Sequence, residues 1–192
     1  MRIKICGITR PEDAQFAEEA GADAIGVVVF SGGVSRRVVS AERAREIFDS
    51  VGPFTTTVAV SHTKSREDLE QMFALRPDAI QISHPFVFDT APGPKVIRVI
   101  GRGDPIPEDC DAIIVDDSHG KGRQYDPSSA RTTVQRSHVP VILAGGLDPE
   151  NVGDAIRRVH PYAVDVASGV EVSPGIKDKE KVRAFIAACR SF

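Results

Sequence analysis

Cys6 closes the run Ile3-Lys4-Ile5 and is followed at once by Gly7. A thiol at a strand end, with a helix N-terminus close behind, has the setting of a lowered pKa and a thiolate base. Outside that setting a cysteine after an apolar strand is more often a small core hydrophobe. Asp116 ends the run Ile113-Ile114-Val115 and brings a carboxyl group; Asp117 beside it points elsewhere, because successive strand residues alternate. Ser35-Arg36-Arg37 offers two guanidinium groups, either of which suits a carboxylate through paired hydrogen bonds unless it is only a solvated loop charge. Gly145-Gly146 and Ser168-Gly169 follow two further apolar runs. Without a Cβ such positions either merely turn the chain or let backbone N–H groups point at an anion. A helix opening near Pro149 would add more N–H groups and a positive dipole end, which favours a phosphate between these loops. Two adjacent acids can also bind a metal, but no histidine or further carboxylate stands at ligand spacing, so no metal is expected.

Short apolar runs of strand character position these groups. They cover residues 2–6, 24–30, 55–60, 79–83, 95–100, 112–116, 139–144 and 163–167. Each is apolar on both faces, as a parallel sheet covered on both sides requires. Helical segments lie between them. Thr9-Arg10-Pro11-Glu12 reads as a capping box, and Gly21 closes that helix. Ser40 caps a helix through about Asp49, and another runs from about Ser65 with Leu69, Met72 and Phe73. Asp148-Pro149-Glu150 opens a helix whose Val152, Ala155, Ile156 and Val159 form a buried stripe; Val182, Phe185, Ile186 and Cys189 repeat that spacing. Gly21-Ala22-Asp23-Ala24-Ile25, Pro77-Asp78-Ala79-Ile80 and Cys110-Asp111-Ala112-Ile113 enter their strands alike, with Pro161-Tyr162-Ala163-Val164 a looser copy. One βα unit used many times implies a closed (β/α)8 TIM barrel, a single domain over residues 1–192. Residues 84–94 and 101–108 are too short and too rich in Pro and Gly for full helices, so helices four and five are shortened or missing. For that reason an open doubly wound sheet is the structural alternative. In either fold, the carboxyl ends of the strands gather the functional groups.

A formal charge of -3 gives no basic footprint, which argues against nucleic acid as a partner. Three widely spaced cysteines make neither a disulfide framework nor a metal site. The chain opens on a strand rather than a signal peptide, and no stretch approaches a membrane span, so the expected compartment is the reducing cytoplasm. A monomer and a homodimer fit the sequence equally.

Lys4-Ile5-Cys6-Gly7-Ile8-Thr9, Gly21-Ala22-Asp23-Ala24-Ile25-Gly26, Ser35-Arg36-Arg37, Ile80-Gln81-Ile82 and the segments 144–152 and 164–171 together resemble the phosphoribosylanthranilate isomerase family of tryptophan biosynthesis, from end to end. That resemblance implies an Amadori rearrangement of N-(5-phosphoribosyl)anthranilate without a cofactor. It implies Cys6 as general base and Asp116 as general acid, with Asp117 one residue away as the alternative. Arg37 or Arg36 would hold the anthranilate carboxylate. Gln81, Gly145, Gly146, Asp165, Ser168 and Gly169 complete the implied substrate-binding set. The family's histidine after the Gln-x motif is replaced here by Ser83, with His84 one place later. Another phosphosugar-barrel isomerase or epimerase, and a non-catalytic sugar-phosphate-binding barrel, are the alternatives.

Overall fold

The computed structural model describes residues 1–31, 35–88, 93–116 and 125–192. Asp117 falls outside them, with the rest of 117–124, residues 32–34 and residues 89–92. Eight parallel strands, each paired with the next and the last with the first, close into a barrel. They are β1 Arg2–Cys6, β2 Ala24–Val28, β3 Thr56–Ser61, β4 Ala79–Ile82, β5 Lys95–Ile100, β6 Ala112–Val115, β7 Val141–Leu143 and β8 Ala163–Val166. Closure answers the question of barrel or open sheet. Helices α1 Pro11–Ala20, α2 Ala41–Phe48, α3 Arg66–Ala74, α4 Pro127–Arg136, α5 Val152–Val159 and α6 Lys179–Arg190 pack outside. A short 3-10 turn, Ser168–Val170, and a two-strand hairpin, β9 Glu171–Ser173 with β10 Ile176–Lys177, follow β8. No described helix is long and apolar enough to cross a membrane.

The two apolar faces of the strands serve two cores. Outward residues such as Ile3, Ile5, Ile25, Ile80, Ile113 and Val164 join the buried stripes of the helices in one cluster. Inward residues such as Val28, Val58, Ile97, Ile114 and Ile142 fill the barrel in a second cluster, which includes Cys6. The helix stripes at Val152, Ala155, Ile156, Val159 and at Val182, Phe185, Ile186, Cys189 are buried.

The recurring strand entry has a physical cause. Asp23, Asp78 and Asp111 each stand just before an even-numbered strand and accept a hydrogen bond from the second residue of the strand before it. The donors are the backbone N–H groups of Ile3, Thr57 and Val96, at 2.8, 2.8 and 2.9 Å. Each carboxylate satisfies an amide at the N-terminal mouth. Tyr162 replaces the acid in the fourth copy, where its ring lies under the Arg2 guanidinium.

Two local expectations need correction, and one helix had none. Thr9 does not cap α1: Arg10 is the N-cap residue and makes no side-chain capping bond, and the Thr9 hydroxyl donates to the Gly175 carbonyl. The helix expected near Pro149 begins at Val152, because the Asp148 carboxylate binds the N–H groups of Glu150 and Asn151 and closes a turn first. Helix α4, capped by Asp126 with Pro127 in its first turn, was not foreseen. Ser40 and Ser65 cap α2 and α3 as their sequences suggest.

No helix stands between β5 and β6, nor among the described residues between β4 and β5. Arg98 replaces part of that missing cover. It is a buried outward residue of β5 and donates to the carbonyls of His84 (2.7 Å) and Phe86 (2.6 Å) and to the Asp109 carboxylate.

Candidate active site

The carboxyl ends of the strands surround a cavity of about 280 Å³ lined by Cys6, Gln81, Asp116, Asp165, Arg36 and Arg37 among others. A smaller recess of about 70 Å³ adjoins it, bounded by Gly145, Gly146 and Ser168 and sharing Arg37, Asp116 and Asp165. Larger depressions of about 740 and 620 Å³ lie beside α4 and at the N-terminal mouth. Neither holds Cys6 or Asp116, and in this fold chemistry collects at the carboxyl mouth.

Cys6 is on the barrel interior and lines this cavity. The β1–β2 register sets it opposite Gly26, and a Cβ on Gly26 would stand 2.8 Å from the sulfur. Glycine at 26 therefore makes room for the thiol. Gly7 does the same for the neighbouring arginine. It adopts φ 73°, and a Cβ there would run into the Arg37 side chain. The Cys6-Gly7 pair is explained on both counts.

The electrostatics of Cys6 differ from the sequence expectation. Burial pushes its thiol above the ordinary value, and the chief opposing influence is the Lys4 ammonium rather than a helix end. Lys4 points into the barrel two residues below Cys6, opposite Asp165 in the β1–β8 register, and donates to the Asp165 carboxylate at 2.7 Å. Burial alone would lower the Lys4 pKa, but Asp165 and Cys6 raise it overall, so the ammonium is held charged.

A second buried cluster fixes the arginine. Arg37 donates through Nε (2.8 Å) and Nη2 (2.6 Å) to the two oxygens of Glu171. Lys177 donates to the same carboxylate at 2.9 Å and to the backbone carbonyls of Cys6 (2.6 Å) and Ala167 (3.2 Å). One lysine thus ties the end of β1 to the end of β8. Arg36, by contrast, is exposed at the cavity rim.

Most of the expected site residues meet at this mouth. Asp116 lines both hollows, and Gln81 presents a buried carbonyl oxygen without a hydrogen-bond partner. Gly145 and Gly146 take positive φ, 98° and 64°, and bend the chain around the recess. Gly169 is the exception. It lines neither hollow, and glycine is required because a Cβ would collide with the Leu147 carbonyl where the last two loops cross. The turn before α5 likewise keeps its N–H groups for Asp148, so it is not the anion cradle foreseen. His84 also stays out of the cavity, its ring set edge-on against Phe86, while His62 of the β3 end lines it and meets the Ser83 hydroxyl at 3.2 Å. Lys4, Gly26 and Glu171 stand within the family-like segments without an assigned role, and Lys177 lies outside those segments. A lysine amid an apolar strand was the one available signal. Among the described residues, no group of three or more His, Cys, Asp or Glu is placed to hold a metal.

Comparison with known proteins follows the same line. A family model described as N-(5'phosphoribosyl)anthranilate (PRA) isomerase matches residues 106–188. A protein of Methanoregula boonei named N-(5'-phosphoribosyl)anthranilate isomerase is 64% identical over 190 residues, covering 99% of this chain and 97% of its own. The crystal structure of phosphoribosyl anthranilate isomerase from Thermus thermophilus superposes with a TM-score of 0.87 at 37% identity, covering 100% of this chain and 99% of that one. A phosphoribosyl anthranilate isomerase in complex with reduced 1-(o-carboxyphenylamino)-1-deoxyribulose 5-phosphate superposes with a TM-score of 0.82 at 33% identity over the full length of both chains.

Proposed function

This chain belongs to the N-(5'-phosphoribosyl)anthranilate isomerase family, and from that premise we propose how its own residues carry out the family's Amadori rearrangement in tryptophan biosynthesis. The substrate is N-(5-phosphoribosyl)anthranilate and the product 1-(2-carboxyphenylamino)-1-deoxyribulose 5-phosphate. The observation that carries the residue assignment is the convergence of Cys6 and Asp116 on one cavity from opposite parts of the barrel sheet.

Asp116 is the general acid. It gives its proton to the ribose ring oxygen as the C1–O bond breaks, and the anilino nitrogen supplies the electron pair that makes a C1=N Schiff base. Cys6, as thiolate, then removes the C2 proton. The C–H electrons form C1=C2, the Schiff-base electrons return to nitrogen, and the resulting enolamine tautomerises to the ketone. Each positioned acid or base contributes roughly 10²–10⁴-fold to such a reaction.

Arg37 binds the anthranilate carboxylate with the edge that Glu171 leaves open, and Arg36 stands at the rim as a second cation. Gln81 supplies its unpartnered carbonyl oxygen to a substrate donor. The recess at Gly145, Gly146 and Ser168 receives the phosphate, with Gly169 shaping the loop crossing. Asp165 acts from the cavity floor through Lys4.

Freshly made phosphoribosylanthranilate is fluorescent, and its decay in the presence of the protein tests the reading. Loss of fluorescence well above the uncatalysed rate is expected; decay at the uncatalysed rate refutes it.

A further inference from the structure

A buried ammonium group lies beneath the cavity floor, in a part of the barrel usually filled by hydrocarbon. Lys4 is 3% exposed and Asp165 8%, and their 2.7 Å contact is shielded from water. Taking two charges out of water is costly, and a buried pair is weak evidence for stability in itself. Its position therefore calls for another explanation.

The Lys4 nitrogen and the Cys6 sulfur lie 3.0 and 2.8 Å from the same point, the place a Cβ on residue 26 would occupy. Their separation is at most the sum of those two distances. Asp165 meets Lys4 from the β8 side and so anchors the ammonium where it faces the sulfur.

We propose that Lys4 is the counter-charge that lets Cys6 exist as a thiolate, and that Asp165 and Gly26 are the positioning residues that hold the ammonium under the sulfur. The proposal rests on the reading of Cys6 as general base. Other charged or titratable groups face Cys6 from the surrounding elements. Lys177 lies behind its carbonyl, Arg37 crosses Gly7 beside it, and Asp116 and His62 line the same cavity, with Glu171 balancing Arg37 and Lys177. Burial is the largest influence on the Cys6 thiol and keeps its pKa above the ordinary value, and Lys4 is the chief charge opposing it. Lys4, Lys177 and Arg37 interact favourably with the thiolate, whereas Asp165 and burial oppose it.

The two ends of the pair should move the thiol in opposite directions. Two unit charges at this separation, with an effective dielectric near 20, correspond to a shift on the order of two pH units. In Lys4→Met the pH midpoint of Cys6 alkylation by iodoacetamide should rise by about that amount, and kcat/KM at neutral pH should fall about 100-fold, recovering as the pH is raised. In Asp165→Asn the amide oxygen still accepts the bond that positions the Lys4 ammonium while the negative charge is gone, so the midpoint should fall. Alkylation is read as the difference from a Cys6→Ser protein, which removes the signals of Cys110 and Cys189.

A merely structural pair gives midpoints that do not move, or both variants shifted the same way, and either result overturns the proposal. If Lys4→Met does not fold, the downward shift in Asp165→Asn decides alone. The alkylation readout needs no substrate. Opposite shifts in a protein that does not turn over phosphoribosylanthranilate would sink the isomerase reading and keep the counter-charge; turnover with unmoved midpoints would do the reverse.

Discussion

Replacing Glu171 by Gln removes one negative charge from a place where two cations meet it. The wild-type carboxylate accepts two bonds from Arg37, one from Lys177 and one from the Gly175 N–H, and its side chain is 4% exposed. Removing one partner of a buried ion pair costs ~3–5 kcal/mol, because the other charge stays buried without compensation. The Gln oxygen still accepts one N–H, and the Arg37 side chain retains 17% exposure, so water relieves part of the loss. The low end of that range, about 3 kcal/mol, is the expected cost. For a chain of this length each kcal/mol moves Tm by ~2–4 °C, which gives a fall of about 6–12 °C.

The pH dependence of that loss has a definite sign. Burial pushes the Glu171 pKa up, but Arg37 and Lys177 outweigh it and hold the carboxyl below its ordinary value of 4.5. A folded-state pKa below the unfolded one contributes stability that is complete above the unfolded value and is lost as pH falls through the folded value. The Tm gap between wild type and Glu171→Gln should therefore be constant from neutral pH down to about 4.5 and close below it. Thermal unfolding followed by circular dichroism across this range measures it. The same substitution frees the Arg37 guanidinium, so KM for phosphoribosylanthranilate should rise more than kcat falls. An unchanged Tm at neutral pH, or a gap undiminished in acid, refutes the charge argument.

Cys6→Ala and Asp116→Asn should each reduce turnover ~10²–10⁴-fold while leaving Tm near the wild-type value; if Asp117→Asn is the inactive protein instead, the acid has been misassigned by one residue. Gly169→Ala should lower stability by ~1–3 kcal/mol in urea titration, because the loops after β7 and β8 must part around the Leu147 carbonyl. It should also weaken competitive inhibition by inorganic phosphate, and unchanged inhibition would separate that crossing from the phosphate recess. Arg98→Met keeps the stem and removes the donors to the His84 and Phe86 carbonyls, at a cost of about 3 kcal/mol in the same titration, while kcat should hold.

The eight strands were legible because a parallel barrel writes them twice. Each has an inward and an outward apolar face, so runs such as Ile113-Ile114-Val115 stand out without any alternation. Cys6 and Asp116 were legible because the carboxyl-end rule needs only the end of a strand. Helix α4 was not, although Asp126-Pro127 is a good start signal: only Ala130 is buried on it, so no apolar stripe marks it. The ionic clusters were hidden for a different reason. Lys4 and Asp165 are 161 residues apart, and Arg37 and Glu171 are 134 apart. Only barrel closure makes β8 a neighbour of β1. Strand-local reading finds which residue faces the mouth, but not what stands beneath it.

The division into two cores lets such costly ion pairs persist. Most of the large fully buried side chains, among them Phe185, Ile47, Met72 and Leu143, belong to the layer between strands and helices. Burial there scales with apolar area and is indifferent to what the barrel encloses. The interior cluster is smaller and richer in small residues, with Ala79, Ala144 and Ala163 in it and Ala167 packed against it. Lys4, Gln81, Asp165 and Cys6 thus share the smaller of the two cores, and most of the buried hydrocarbon lies outside it. Substitutions inside the barrel should change proton chemistry more than stability, and substitutions between sheet and helices the reverse. Glu171 and Lys177 break the separation, since their hairpin covers the end of β1 and also orients Arg37. That hairpin is where a loss of function and a loss of fold should coincide.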